Sequence, residues 1–285
     1  MTVIELYNYC KDELKAAGKD DFENEANLIV QNVLDIDKTM FLLNKDNFVD
    51  STAISEVQSI IKKRKAFVPL QYIFGEWDFY GETYKVGEGV LVPRPETEEL
   101  CSLVIEKLQR MKSPTVFDLC SGSGCIGITL KKQAKNADVY LVEYCDKAIS
   151  YLNENRMKLG VARSVPAIKG NVLDGYEKFG FLPRPDVIVS NPPYVKRAEL
   201  ESLQPEVKNE PETALDGGED GLDFYRALAE KWLPFINEGG FIAVECGEEQ
   251  AETIASMFSK FSEEISIIKD FNGIDRFVIA GKGQK

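Results

Sequence analysis

The sequence predicts an α/β protein: a largely parallel sheet with helices on both faces, preceded by a small all-helical domain. Three observations carry this. Residues 1 to about 70 place apolar side chains at helical spacing. From residue 115 onward, short apolar runs alternate with helical stretches, the signature of a parallel sheet covered on both sides. The first of those runs opens directly into a glycine-rich loop and a helix.

The elements follow in order. Val3, Tyr7, Cys10 and Leu14 share one helical face, and Ala26, Ile29, Val30, Val33 and Leu34 form a second stripe. A third helix starts at Asp50 or Ser51, both good cap residues, and buries Ile54, Val57, Ile60 and Ile61. The run Lys62-Lys63-Arg64-Lys65 reads as its solvated end, favourably placed on the helix dipole. Pro69 ends this domain, assigned to residues 1–75. Residues 79–92 carry Gly81, Gly87 and Gly89 among Tyr and Val, which suggests a hairpin linker, assigned to 76–95. Two prolines, Pro93 and Pro95, followed by acids mark a helix N-terminus, and that helix is expected to run to about Met111. The remainder, 96–285, is one domain with strands expected at 115–119, 139–143, 165–168, 186–190 and 241–245. Two further runs, 265–268 and 276–280, are close enough to form an antiparallel hairpin at the sheet edge.

At 285 residues, with 44% hydrophobic and 28% charged side chains, the chain can hold two domains and an ample core. A net charge of −13 argues against long-range attraction to a nucleic-acid backbone and favours a protein or small-molecule substrate. There is no histidine, so a histidine base, a Ser-His triad and histidine metal ligation are excluded. Six cysteines without a CxxC pair read as reduced thiols rather than a disulfide frame. The N-terminus lacks an apolar signal core and no run is long enough for a bilayer span, so a soluble cytoplasmic protein without membrane contact is expected.

Two segments carry the chemistry. The first, Asp118 to Gly127, follows the first strand of the sheet. Its glycines let the backbone approach a ligand closely, and the next helix presents free N–H groups. Glu143 ends the following strand, where an acid can accept hydrogen bonds from two ribose hydroxyls. Gly122-Ser123-Gly124-Cys125-Ile126-Gly127 matches the dinucleotide fingerprint, so an NAD enzyme competes with a methyltransferase. Asp118 suits the latter, because an acid there can approach a ligand's ammonium group. The second segment is Asn191-Pro192-Pro193-Tyr194, after the apolar run 187–189. The Asn oxygen and a nearby carbonyl freed by proline can accept the two hydrogens of a planar –NH2 group, with the Tyr ring over it. Such a clamp aims a nitrogen lone pair at an electrophile, for which the methyl of S-adenosylmethionine is the natural candidate. The bland alternative is a Pro-Pro turn capping a strand. Against the NAD reading, no hydride-transfer constellation is visible, and the clamp has no job in a dehydrogenase.

With these residues in hand, the chain resembles the HemK/PrmC family, the protein-(glutamine) methyltransferases that modify class 1 peptide-chain release factors. The matching segments are 69–75, 92–98, the glycine loop, 191–194 and 210–222, spread over nearly the whole length. The tetrapeptide alone is weak, since amino-methylating DNA and RNA enzymes share it. The Pro93-Arg94-Pro95 and 210–222 segments make the resemblance specific.

The resemblance implies a class I (Rossmann-like) methyltransferase fold, with a seven-stranded sheet whose last strand is antiparallel. It implies transfer from S-adenosylmethionine to the side-chain amide nitrogen of the glutamine in a Gly-Gly-Gln loop. By matching position, Cys120, Ser121, Gly122, Ser123 and Gly124 would line the methionine part of the cofactor and Glu143 would hold the ribose. Asn171 and Val172 would flank the adenine. Asn191 would touch both cofactor and substrate, with Pro192, Pro193 and Tyr194 completing the substrate clamp and no metal involved. Cys120 stands where many members have glycine, and Asn171 where Asp is common. The alternatives within reach are a glutamine methyltransferase of a ribosomal protein and an amino-methyltransferase of adenine in nucleic acid. The expected partner is a class 1 release factor, met by a monomer without direct nucleic-acid contact.

Overall fold

The computed structural model describes residues 1–283, and its backbone divides into two units. The last two positions of the segment assigned to 96–285 lie outside the described residues. The first unit comprises Met1–Gly75 with Pro205–Asn209, and the second Glu76–Gln204 with Glu210–Lys285. The hairpin read from sequence as a linker falls within the second unit.

The first unit holds five helices: α1 (Val3–Ala16), α2 (Phe22–Leu34), α3 (Lys38–Leu43), α4 (Ser51–Lys65) and α5 (Leu70–Phe74). Thr2 and Glu5 close a capping box on α1, and Asp50 caps α4 through the Ala53 N–H. Leu6, Cys10, Leu14, Ile29, Val30 and Val57 are its fully buried centre. The short helices α3 and α5 were not expected. They are too brief for a periodic signal, although Asp37 caps α3 as a sequence signal would have it.

One expectation is overturned here. Arg64 is not part of a solvated helix end; it is 3% exposed. Its Nε and Nη2 donate to the two oxygens of Glu25 at 2.8 and 2.7 Å, and Nη1 donates to the Val68 carbonyl. A guanidinium can be buried when a carboxylate faces it bidentately, which a four-residue charge run cannot reveal. Within the same unit Glu206 takes Lys19 at 2.5 Å and Arg64 at 3.3 Å.

The second unit opens with a hairpin, β1 (Glu76–Phe79) and β2 (Glu82–Lys85), and then α6 (Pro95–Leu108). The main sheet follows: β3 (Thr115–Leu119), α7 (Cys125–Gln133), β4 (Asp138–Glu143), α8 (Asp146–Lys158), β5 (Ala167–Lys169), β6 (Val187–Ser190), α9 (Asp223–Lys231), β7 (Phe241–Glu245), α10 (Ala251–Phe258), β8 (Glu264–Lys269) and β9 (Asp275–Gly281). The strand order is β5-β4-β3-β6-β7-β9-β8. Neighbours are parallel until β9, which runs antiparallel to both β7 and β8. The terminal hairpin therefore sits at the sheet edge, with its second strand inserted inward.

Alternation along the strands sorts side chains to two faces. Val116, Val187, Val189, Phe241 and Ala243 pack with Leu100, Cys101 and Val104 of α6 and with Ile126, Ile128 and Leu130 of α7. Phe117, Leu119, Ile188, Ile242 and Val244 pack with Tyr225 and Leu228 of α9 and with Ile254 and Phe258 of α10. The strand order reverses between β3 and β6, so their carboxyl ends open the crevice where such sheets bind ligands.

Candidate active site

At that crevice a cavity of about 320 Å³ opens. Its wall includes Cys120–Ser123 after β3, Glu143–Cys145 after β4, Asn171–Leu173 after β5, and Asn191 and Pro193 after β6. Four strand ends thus converge. Thr97 of α6, Val90 and Leu91, and Thr213 and Asp216 close the remaining sides.

The loop after β3 turns through two conformations that suit glycine. Gly124, with φ +81°, caps α7, and Cys120 itself sits at φ +60°. A non-glycine residue in the left-handed region is strained, which gives a physical reason for glycine being usual at position 120. Gly127 is favoured for a different reason. A Cβ there would lie 2.2 Å from Leu141 Cδ2 and 2.9 Å from Asp118 Oδ2, so any side chain must displace both where α7 meets the sheet.

Glu143 organises this loop. Its Oε2 accepts the Gly122 N–H at 2.8 Å, and its Oε1 accepts the N–H groups of Tyr144 and Cys145, each at 2.8 Å. The carboxylate is therefore held at the cavity wall by main-chain donors from two segments. Asn171 uses its Oδ1 to cap the Leu173 N–H at 3.0 Å, which fixes the turn carrying Val172.

Asp118 is placed differently from the expectation that it approaches a ligand directly. It is fully buried beneath the loop and does not line the cavity. Position 118 lies on the sheet face that meets α7, where Oδ2 accepts the Gly127 N–H at 2.9 Å. Burial pushes its carboxyl up to about 8, opposed by the Gly127 bond. Gly124 and Pro192 also do not line the cavity, and neither does Tyr194. The Tyr194 ring is half-buried against the second core, and burial pushes its hydroxyl up to about 12.

Asn191 does face the cavity, and its amide is tied at one end. Its Nδ2 donates to Thr97 Oγ1 at 3.1 Å, and the Thr97 hydroxyl donates to Glu245 Oε2 at 2.7 Å. Glu245 ends β7, is 2% exposed, and burial pushes its carboxyl up to about 7. The segment behind the tetrapeptide is fastened too. Gln250 Nε2 donates to the Tyr194 carbonyl at 2.9 Å, and Gly217 N–H donates to the Val195 carbonyl at 2.8 Å. Glu210, buried, accepts from the Val92 N–H at 3.0 Å and from Arg94 at 2.5 Å, joining the 92–98 and 210–222 segments.

A family model for the PrmC N-terminal domain matches residues 5–75, and one for the methyltransferase small domain matches 97–218. A release factor glutamine methyltransferase of Thermodesulfovibrio yellowstonii is 39% identical over 266 residues, covering 91% of this chain and 92% of that one. One from Bacillus cereus is 35% identical over 286 residues, covering 98% and 99%. The chain belongs to the release factor glutamine methyltransferase family. Among solved structures, a methyltransferase from Pyrococcus furiosus aligns with TM-score 0.53 at 20% identity, covering 80% of this chain and 99% of that one. A 16S rRNA N2 methyltransferase from T. Thermophilus, in complex with AdoMet and guanosine, aligns with TM-score 0.51 at 17% identity, covering 73% and 49%. At those identities the likeness is one of fold, and that fold is the Rossmann-like methyltransferase fold.

The cavity of this release factor glutamine methyltransferase family member presents the Glu143 carboxylate and the Asn191 amide on its wall. Among the described residues, two buried side-chain atoms have no hydrogen-bond partner: Asp118 Oδ1, near the end of β3 beneath the loop, and Ser123 Oγ, in the loop at the cavity wall. Unpaired buried acceptors are costly unless something supplies a donor. Thr97 and Glu245 were not found from sequence. The available signal was that Thr97 occupies a position of the α6 apolar stripe that continues through Leu100, Cys101, Val104, Ile105 and Leu108. A polar residue on a core stripe needs a buried partner.

Proposed function

We propose that this chain methylates the side-chain amide nitrogen of the glutamine in the Gly-Gly-Gln loop of class 1 peptide-chain release factors, with S-adenosylmethionine as donor. The relatives just described, which match along nearly the full length, are named release factor glutamine methyltransferases. The observation that carries the reading is Asn191. Its nitrogen is engaged by Thr97, which leaves its oxygen to accept a hydrogen from a planar amide in the cavity.

When bound, S-adenosylmethionine supplies a methyl group on a cationic sulfur, open to displacement by a nitrogen lone pair. Cys120 to Gly124 would hold its methionine part, Glu143 its ribose, and Asn171 and Val172 its adenine. Buried Asp118, beneath the loop, would hold the loop in place through the Gly127 N–H.

A glutamine amide is a poor nucleophile because its lone pair is delocalised into the carbonyl. Asn191 Oδ1 would accept one of its two hydrogens, orient the nitrogen, and stabilise the form with charge on nitrogen. The Tyr194 ring, packed against the second core, would support the tetrapeptide from behind. The nitrogen becomes acidic once methylated, so no strong base is required and the absence of histidine is no obstacle. The enzyme is read as a cytoplasmic monomer acting on protein rather than nucleic acid. The two glycines of the loop matter because a Cβ would collide in a narrow site, and a short peptide must lose chain entropy to extend.

The test is incubation with labelled S-adenosylmethionine and purified intact release factor, with mass mapping of the modified peptide. Label is expected on the loop glutamine, more weakly on an isolated peptide, and not on a factor with glutamate there. Label on double-stranded DNA, or label that persists without the loop glutamine, would overturn the reading.

A further inference from the structure

We propose that Thr97 and Glu245 are positioning residues for methyl transfer. Together they fix which end of the Asn191 amide faces the substrate. This rests on the reading of Asn191 as an acceptor for the substrate amide. An ionised carboxylate accepts and cannot donate, and a threonine hydroxyl has one hydrogen. Glu245 Oε2 lies 2.7 Å from Thr97 Oγ1 and draws that hydrogen to itself. Thr97 Oγ1 then has only lone pairs to offer, so the Asn191 group 3.1 Å away must be the donor, Nδ2. The oxygen is left at the cavity.

An asparagine amide turned end for end has nearly the same shape, so packing alone discriminates poorly between its two orientations. The wrong orientation would set NH2 against the NH2 of the substrate glutamine and remove the acceptor. The chain of polarity Asn191 to Thr97 to Glu245 is what separates them. Burial strengthens it, because Thr97 is 2% exposed and Glu245 2% exposed, so water cannot substitute for either partner. The fold builds it from distant parts. Odd-numbered residues of β7 face α6, which brings Glu245 beneath the first turn of α6, where Thr97 points inward.

The experiment is run at a pH well above about 7, the value to which burial pushes the Glu245 carboxyl, so that it is ionised. Thr97→Val is expected to lower kcat about 10–100-fold, the range for partners that orient a ligand-contacting group. The Kd for S-adenosylhomocysteine is expected to stay within about twofold. The side-chain amide signals of Asn191, followed by nitrogen-edited NMR, should lose their protection from solvent exchange. Thr97→Ser keeps the hydroxyl and should restore both turnover and protection, a rescue that mere space filling would not produce. Glu245→Gln is the second variant, since its amide can donate to Thr97 and turn the chain around. Its loss should not add to that of Thr97→Val, because both break one chain. Asn191→Ala, run in parallel, separates the two claims. If Asn191→Ala is inactive while Thr97→Val keeps wild-type kcat and amide protection, or if the two losses simply add, the positioning role is wrong and the clamp stands. If Asn191→Ala keeps near-normal turnover, the clamp itself is wrong.

Discussion

Glu143→Ala should do two separable things. Glu143 accepts three main-chain N–H bonds, at 2.8 Å each, from Gly122, Tyr144 and Cys145. The last two donors lie within two residues, and Tyr144 is 61% exposed, so water can largely replace the lost acceptor there. The Gly122 bond crosses from one loop to another and is not so easily replaced. A hydrogen bond to a charged group contributes about 1.5–3 kcal/mol, and stability should fall by roughly that amount. The same carboxylate, as the proposed ribose acceptor, should cost cofactor binding a further 1.5–3 kcal/mol or so, about tenfold to hundredfold in Kd. Thermal unfolding without ligand reads the first effect. Calorimetric titration with S-adenosylmethionine and with its demethylated product, well below the melting temperature, reads the second. If the variant folds and binds the cofactor as tightly as wild type, Glu143 is only a staple for the glycine loop. The assignment of the cavity to a ribose then fails. Tight calorimetric binding of NAD would leave the ribose site standing and overturn the choice of S-adenosylmethionine as its ligand.

Three further outcomes are expected. Arg64→Met should destabilise the helical unit by about 2–3 kcal/mol by chemical denaturation, below the 3–5 of a fully buried pair because the Glu25 side chain is 17% exposed; Glu25→Gln added to it should recover part, and a loss under 1 kcal/mol would mean the charge is not needed for burial. Gly127→Ala should cost about 1–2 kcal/mol despite the better helix propensity of alanine, because its Cβ would meet Leu141 at 2.2 Å; a neutral or stabilising result would show that α7 can lift from the sheet. Burial raises the Asp118 carboxyl from 3.8 to about 8, so its contribution to stability is greatest below pH 4 and is lost as pH rises through about 8. Asp118→Asn, neutral throughout, should flatten the fall in stability between about pH 4 and about pH 8 in urea titrations, and parallel wild-type and variant slopes would show that burial is not what governs this group.

The sequence by itself determined the sheet well. Residues 115–119 and 241–245 are read from sequence with the bounds of the strands Thr115–Leu119 and Phe241–Glu245, because strands covered on both faces are nearly continuous apolar runs. It also placed Glu143 and Asn191 at strand ends, since ligand chemistry in such sheets gathers where the apolar run stops. Weaker patterns blurred: the strand expected at 165–168 is the short Ala167–Lys169, and α3 went unseen because six residues cannot show a helical period. The tertiary structure alone decided which polar groups face which. Asp118 reads as a ligand contact in sequence, yet strand alternation turns it under the loop toward Gly127. Arg64 reads as solvated, yet Glu25 from another helix makes its burial tolerable. Thr97 and Glu245 stand 148 residues apart, and nothing local in either marks the other. Apolar periodicity is a short-range property that a chain displays along its length. The partner of a buried polar atom is a long-range property, and it exists only once the layers have packed.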